Sequence, residues 1–522
     1  MMQRLLRTGR LAILAVTTGV LCGCATVNPR RDYDRTAERV EAATGYLLSY
    51  RPDDQARIEK QVQELLRDGL SADEAAQICL LNNRRLQAML YDVGVARADV
   101  VQASLLSNPT LSVGLRFPDA GGLANFEAAL VQNIADLWQI PVRKRAAERA
   151  LDRTILQVAR EISVAVIDTK TAYYRARQAE RKREVAAESV QIAQQVLDLA
   201  LARKQAGAAS EVDVNLARSE VLDAELTLRN STLESFEARS ALCTLLSLKI
   251  APDTLELNED VPETPTWTVP VGTLLVLAAD HRLDIQAAVR ATESAWAQIR
   301  QEQLKLFPTL DVGVALERAE RRAPEGRNIL ADSVRASLAA GEPQVDIAPK
   351  EKSGGQDTII GPTIGMELPI FNQNQGGIAR AQFEYEQSRK LLDNLVVEVH
   401  QEVRLANARA RTAWGNVGFY REQLLPLRET SLDLARTAYQ AGRTTLLSVL
   451  DAERALLTAR SGYADAVQAS ATALVELEKV TGQPLARILE AAQTNVPSPG
   501  DVNQAGPTEP PPASSPVGDM QP

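Results

Sequence analysis

A chain of 522 residues is too long for one small core, and its 45% hydrophobic and 24% charged residues are those of a folded protein. Only 4% of residues are aromatic while alanine recurs throughout, which suits slender, closely packed helices better than a thick globular core. A formal charge of −9 with no long basic run excludes a phosphate-binding patch, and with it a nucleic-acid partner.

At the N-terminus Arg4, Arg7 and Arg10 precede an apolar run from Leu11 to Val16 and then Leu21-Cys22-Gly23-Cys24, the order of a secretory signal. The run is too short for a comfortable transmembrane helix. Its Leu-x-Gly-Cys ending resembles a bacterial lipobox, which makes residues 1–23 a lipoprotein signal peptide and Cys24 the acylated first residue of the mature chain. Ala25 follows rather than aspartate, and lipoprotein sorting then directs the protein to the outer membrane. Residues 24–69 are read as the anchor and a periplasmic segment. Cys79 and Cys243 lie in helical patterns outside any Cys-x-x-Cys pair and read as small buried side chains, with a disulfide left open.

The next stretch repeats later in the chain. Gln87-Ala88 and Pro109-Thr110-Leu111-Ser112-Val113-Gly114 return as Gln286-Ala287 and Pro308-Thr309-Leu310-Asp311-Val312-Gly313 at a constant offset of 199. Gln205-Ala206-Gly207 returns as Gln440-Ala441-Gly442 at an offset of 235, so the second half carries 36 extra residues. The Gly-, Pro- and charge-rich stretch 317–357 is the obvious inserted loop. Two repeats follow, 70–251 and 271–490, joined by a linker at 252–270.

Each repeat reads as helix, strand, loop, strand, long helix, turn and helix. Leu111, Val113, Leu115 and Phe117 alternate with Ser112, Gly114 and Arg116, and Leu310, Val312, Val314 and Leu316 with Asp311, Gly313 and Ala315. That period of two predicts strands with one apolar face at 110–117 and 309–316, with weaker return strands at 124–132 and 358–368. Their length is what a transmembrane strand needs.

From Val142 to Ala206 there is neither Gly nor Pro, and Leu151, Ile155, Val158, Ile162, Ala165, Thr169, Ala172, Ala176 and Ala179 step by four and three. This heptad seam predicts a helix roughly 95 Å long. Past Gly207 the seam returns through Val214, Ala217, Val221, Ala224 and Leu228, giving a coiled hairpin. In the second half the helix from Ile378 meets Gly415, Gly418 and Pro426, which predict a bend or break before the turn at Gly442. The tail 491–522 is proline-rich and predicted disordered.

Leu70-Ser71-Ala72-Asp73-Glu74-Ala75, Leu80 to Leu86, Leu105-Leu106-Ser107-Asn108-Pro109, Leu368 to Gly376, and Tyr439-Gln440-Ala441-Gly442 with Leu450-Asp451-Ala452-Glu453 occur in order over nearly the whole mature chain. Together they resemble the TolC-like outer-membrane efflux proteins, nearest in style to the lipoprotein ducts of resistance-nodulation-division pumps. The resemblance implies a mainly α protein with a transmembrane β-barrel portion. A homotrimer closes a 12-stranded barrel in outer-membrane lipid above a long α-helical coiled tunnel, a periplasmic adaptor and an inner-membrane pump complete the system, and no cofactor takes part. The chain would be a passive conduit for small toxic solutes, drugs or metal ions.

The resemblance also implies a periplasmic gate at the helical tips, where aspartate rings narrow the tunnel and a tip tyrosine is tied to an aspartate on the other hairpin. Asp451 falls on one ring position and Ser448 stands on the other. Tyr439 and Asp213 match the tied pair. Thr444 stands where the family has an arginine, with Arg443 beside it, and Gly207 and Gly442 mark the tips that meet the adaptor. No catalytic constellation is legible: His281 and His400 lack partners at ligand spacing, and no phosphate loop or nucleophile elbow occurs. The competing reading is a periplasmic coiled-coil scaffold lipoprotein, which accounts for the lipobox and heptads but not for strand pairs recurring after Pro109 and Pro308.

Overall fold

The computed structural model describes residues 26–48, 55–117, 123–258, 269–306, 310–320, 329–345 and 356–494. Cys24 lies outside them. The chain runs through α1 (Arg30–Thr44), α2 (Gln55–Leu65), α3 (Ala72–Asn82), α4 (Arg84–Ser104), β1 (Thr110–Arg116), β2 (Asn125–Asn133), α5 (Asp136–Gln205) and α6 (Glu211–Leu245). It continues through α7 (Val271–His281), α8 (Leu283–Leu304), β3 (Leu310–Glu320), α9 (Ile329–Ala340), β4 (Gln356–Met366) and α10 (Gln375–Phe419). A π turn over Tyr420–Leu424 leads into α11 (Leu425–Gln440), α12 (Leu446–Thr481) and α13 (Leu485–Thr494). The fold is mainly helical, and among the described residues no helix is long and apolar enough to cross a membrane.

Several boundaries differ from the sequence reading. Helix α5 begins at Asp136, not after Pro141, because proline is tolerated near a helix start where few N–H groups have partners to lose. The inserted stretch is shorter than 317–357: β3 runs on to Glu320, β4 starts at Gln356, and between them stands α9. The tail expected from 491 is helical as far as Thr494, with Ile488 of α13 fully buried; the rest of that tail lies outside the described residues. The expected break near Pro426 is a π turn followed by proline in the first turn of α11, so the helical path is deflected without ending.

Two compact units divide the chain, each drawn from both halves of the sequence. One holds the strands, the residues flanking them, and the adjoining ends of α4, α5, α8 and α10. Its sheet is antiparallel in the order β1-β2-β3-β4. Leu111 pairs with Leu130, Leu130 with Val314 and Val314 with Pro362, so these side chains share one face. Val113, Ala128, Leu316 and Ile360 make the next row of that face. Ser112, Glu127, Asp311, Gly313 and Thr363 take the other, where Arg116 pairs with Glu127 at 3.1 Å.

The motif before β1 has a structural role in the same unit. Asp136 accepts from both the backbone N–H and the hydroxyl of Ser107, each at 2.6 Å. Arg143 donates to the carbonyls of Ala103 and Leu105 at 2.9 and 2.8 Å. Before α10, Asn374 adopts a left-handed conformation with φ 58° and donates to Glu302.

The second unit holds α2, α3 and α6, most of α5, α7, most of α10, and α11 through α13. A capping box of Ser71 and Glu74 starts α3. At its end Asn82 and Asn83 donate to the carbonyls of Leu246 and Leu245 at 2.8 and 2.7 Å, closing the orphan end of α6. Gln87 donates to Leu81 O at 2.9 Å, and Gln286 repeats the bond to Asp280 O at 3.0 Å, 199 residues on. In α5 the seam residues Ile162, Thr169, Ala176, Ala179, Ala193, Leu197 and Ala200 are buried. Cys79 and Cys243 are both buried free thiols whose ionisation burial disfavours.

Candidate functional site

Two helix turns form the tips. Two residues past the ends of α5 and α11 stand Gly207 and Gly442, with φ of 72° and 71°, a left-handed conformation that glycine adopts without a Cβ clash. In each the third N–H past the helix reaches five residues back: Ala208 to Arg203 O and Arg443 to Ala438 O, both at 2.8 Å. These are the same bond at the offset of 235. The chain then re-enters a helix, α6 through a capping box in which Ser210 and Asp213 bond reciprocally, and α12 through Thr445.

The four helices share one core beneath the tips. Ala193, Val196, Leu197 and Ala200 of α5 and Val214, Ala217, Val221 and Ala224 of α6 pack with Leu432 and Tyr439 of α11 and Leu446, Val449, Leu450 and Leu456 of α12. Small residues on the first hairpin let the larger ones of the second close the gap, as an alanine-rich seam requires.

The residue that joins the two tips is Arg203, which the sequence reading did not single out. Its guanidinium donates to the carbonyls of Tyr439, Gln440 (3.3 Å) and Ala208 (3.1 Å), and it lies over the Tyr439 ring, 4.4 Å from the centroid. One cation thereby serves two carbonyls at the end of α11 and a carbonyl in its own tip. Its position in the last turn of α5 was the available signal.

The expected tie between Tyr439 and Asp213 is not formed. The Asp213 carboxylate accepts from the N–H and hydroxyl of Ser210, both at 2.8 Å, so its cap takes it. The buried Tyr439 hydroxyl finds no hydrogen-bond partner among the described residues, and burial raises its pKa against the pull of Arg203. Ser448 and Asp451 stand three residues apart on an exposed face of α12, with Ser448 accepting from Thr444 at 2.9 Å. Arg443 is exposed at the tip.

A charged group sits deeper. Arg454 of α12 forms a two-point ion pair with Glu220 of α6. Beside it Glu453 is 1% exposed. Burial first, and Glu220 second, push the Glu453 carboxyl up to about 7. The sequence showed this residue only as part of the Leu-Asp-Ala-Glu motif.

The sheet is the other candidate surface. Its apolar face is bare within the chain: Leu111 is 67% exposed and Ile364 76%. So contiguous an uncovered apolar face marks an interaction surface.

Comparison with known proteins matches this arrangement. The profile described as outer membrane efflux protein matches residues 75–247 and 274–483, well over half of the chain. The cobalt-zinc-cadmium resistance protein CzcC of Cupriavidus metallidurans is 24% identical over 425 residues, covering 79% of this chain and 90% of that one. The outer membrane protein TolC of Escherichia coli is 25% identical over 73% of this chain and 74% of its own. Among solved structures, the CmeC outer membrane channel of Campylobacter jejuni superposes with a TM-score of 0.61 at 15% identity, covering 81% and 89% of the two chains, and so shares the fold. With both halves matched in order across the strands and the helical hairpins, the chain belongs to the outer membrane efflux protein family.

Proposed function

We propose that this chain is the outer-membrane duct of a tripartite efflux system, a passive conduit for small toxic solutes, drugs or metal ions. Three copies close a 12-stranded barrel in the outer membrane, and their helices form a tunnel below it. Each chain is built of two structural repeats, which the matched bonds at offsets of 199 and 235 support. A periplasmic adaptor meets the tips at Gly207, Gly442, Arg443 and Thr444, and an inner-membrane pump of the resistance-nodulation-division type supplies the energy.

The observation that carries this reading is the sheet: one face apolar and exposed, and four strands in a row with β1 and β4 at its ends. In lipid an open edge leaves backbone groups unsatisfied at several kcal/mol each, so a lipid-facing sheet must close, and four strands need further copies to do so. On α6, Leu222, Leu226, Leu233 and Phe236 form an exposed apolar stripe at helical spacing, suited to the same association. The test is mild detergent extraction, unheated gel electrophoresis and planar-bilayer recording. A heat-dissociable trimer with a steady conductance is expected, and a monomer without conductance would overturn the duct.

The gate lies on the exposed α12 face of Asp451 and Ser448, with Tyr439 and Asp213 behind it at the tip. Because serine replaces the second carboxylate, a trimer carries one acidic ring of three Asp451 side chains there. Asp451→Asn should weaken block of the channel by divalent cations, measured in single-channel recordings; unchanged block would remove Asp451 from the gate while leaving the duct intact.

Cys24 is the lipid attachment site on this reading, supported by the apolar core before it and the Leu-x-Gly-Cys order. Cys24→Ser should abolish incorporation of labelled fatty acid, and continued labelling would eliminate the assignment.

A further inference from the structure

The packing of α6, α11 and α12 below the tips buries a carboxyl group with nothing bonded to it. Both carboxyl oxygens of Glu453 are inaccessible and have no hydrogen-bond partner among the described residues. The charged groups facing it are Glu220 from α6, Arg436 from α11 and Arg454 from its own helix. Helix α5 contributes the apolar Ala193, Val196, Leu197 and Ala200 to the adjoining core. Arg454 is committed to Glu220, which leaves Arg436, and its Nη2 is itself buried without a partner among the described residues.

An unbonded carboxylate is costly in such a place and a neutral acid much less so, so this arrangement selects the protonated form. The spare nitrogen of Arg436 is a donor the ionised form would draw on, and a shift of α11 towards Glu453 would bring it closer. Arg436 and Tyr439 lie one turn apart on α11, so that shift moves the tyrosine on which Arg203 stacks. The Tyr439 hydroxyl also has no partner among the described residues, so the tyrosine side chain adds no hydrogen bond of its own to the Arg203 tie.

We propose that Glu453 is a proton-controlled latch of the tip: neutral, it permits the α11 and α12 packing seen here, and ionised, it draws Arg436 towards itself and loosens the Arg203 tie to the end of α11. Its consequence for flow rests on the duct reading; the latch itself does not. Loss of the proton to water accompanies the shift, and with an ordinary carboxyl in the loosened arrangement the loosened-to-packed ratio rises about tenfold between pH 6 and pH 8.

The experiment uses the full-length protein in detergent. Hydrogen exchange of residues 436–442 is followed at pH 6 and pH 8 and corrected for the intrinsic pH dependence of exchange. Opening of this segment should rise about tenfold in the wild type and stay at its own pH 6 level in Glu453→Gln. A wild type without the rise, or a Glu453→Gln protein that keeps it, would overturn the latch. In bilayers resting conductance should follow the same pattern. Conductance present but equally dependent on pH in Glu453→Gln counts against the latch alone, whereas a wild type without any conductance counts against the duct and leaves exchange to decide.

Discussion

Arginine in place of Val113 will cost the membrane-inserted protein about 2 to 4 kcal/mol, enough to deplete the assembled form severely. Val113 lies at the centre of β1, opposite Ala128 and in one row with Leu316 and Ile360, on the face that the chain leaves bare. On the proposed barrel a guanidinium there must be desolvated in hydrocarbon or drag water to mid-membrane. Ser112 is its neighbour on the other face, across from Ala129. Arginine at Ser112 should leave assembly intact and change conductance and ion selectivity. The measurement is the yield of heat-dissociable trimer in membranes for the two variants, followed by recordings. Equal tolerance at both positions would remove the assignment of lipid to the apolar face.

Arg203→Ala will raise the resting conductance of the channel severalfold. The substitution deletes three carbonyl contacts and the stack on Tyr439, and removes the side-chain donor from the last carbonyls of α11, of which Tyr439 O keeps the Gly442 N–H at 3.0 Å. Because the site is partly solvated, the loss is about 1 to 2 kcal/mol, or roughly tenfold in the balance between tied and untied tips. Arg203→Lys keeps the charge but not the planar fork that reaches several carbonyls at once, so its effect should approach that of alanine. Arg443→Ala, at an exposed position in the other tip, is the matched control. Recordings in which both variants rest at the wild-type level would show that the tie does not hold the tip.

What the sequence displayed, and what it hid, divides along physical lines. Leu111 to Phe117 alternate because one face of the strand is apolar and the other is not, and the α5 seam is periodic because one stripe of that helix is buried, so both patterns are local. The α9 helix was legible too, since Ile329 to Ala340 contains neither Gly nor Pro and is bracketed by Gly326 and Gly341; charge around it obscured the signal. Ser210 and Asp213, three residues apart at a helix start, already spelled a capping box, which is why Asp213 is unavailable to Tyr439. Arg203 and Glu453 were hidden for a different reason. Arg203 acts on the end of α11 and Glu453 faces Glu220 of α6, each more than 200 residues away in sequence, and no local period records what lies opposite.

The π turn at Tyr420–Leu424 changes the numbering of the chain against itself. Before it, Ala165, Thr169, Ala172, Ala176 and Ala179 of α5 correspond to the buried Val399, Val403, Ala406, Ala410 and Ala413 of α10 at a constant offset of 234. After it, Leu197 corresponds to Leu432 and Gln205 to Gln440 at 235. One residue has been taken up between the two stretches, where the wider helical turn accommodates it. In an unbroken α-helix that residue would rotate everything beyond it by about 100° and carry the buried stripe out of phase with its neighbours. The wide turn absorbs the slip, so Leu432 still faces inward, and the 36-residue difference between the halves is 35 residues of inserted chain before α10 and one of phase correction within the helix itself.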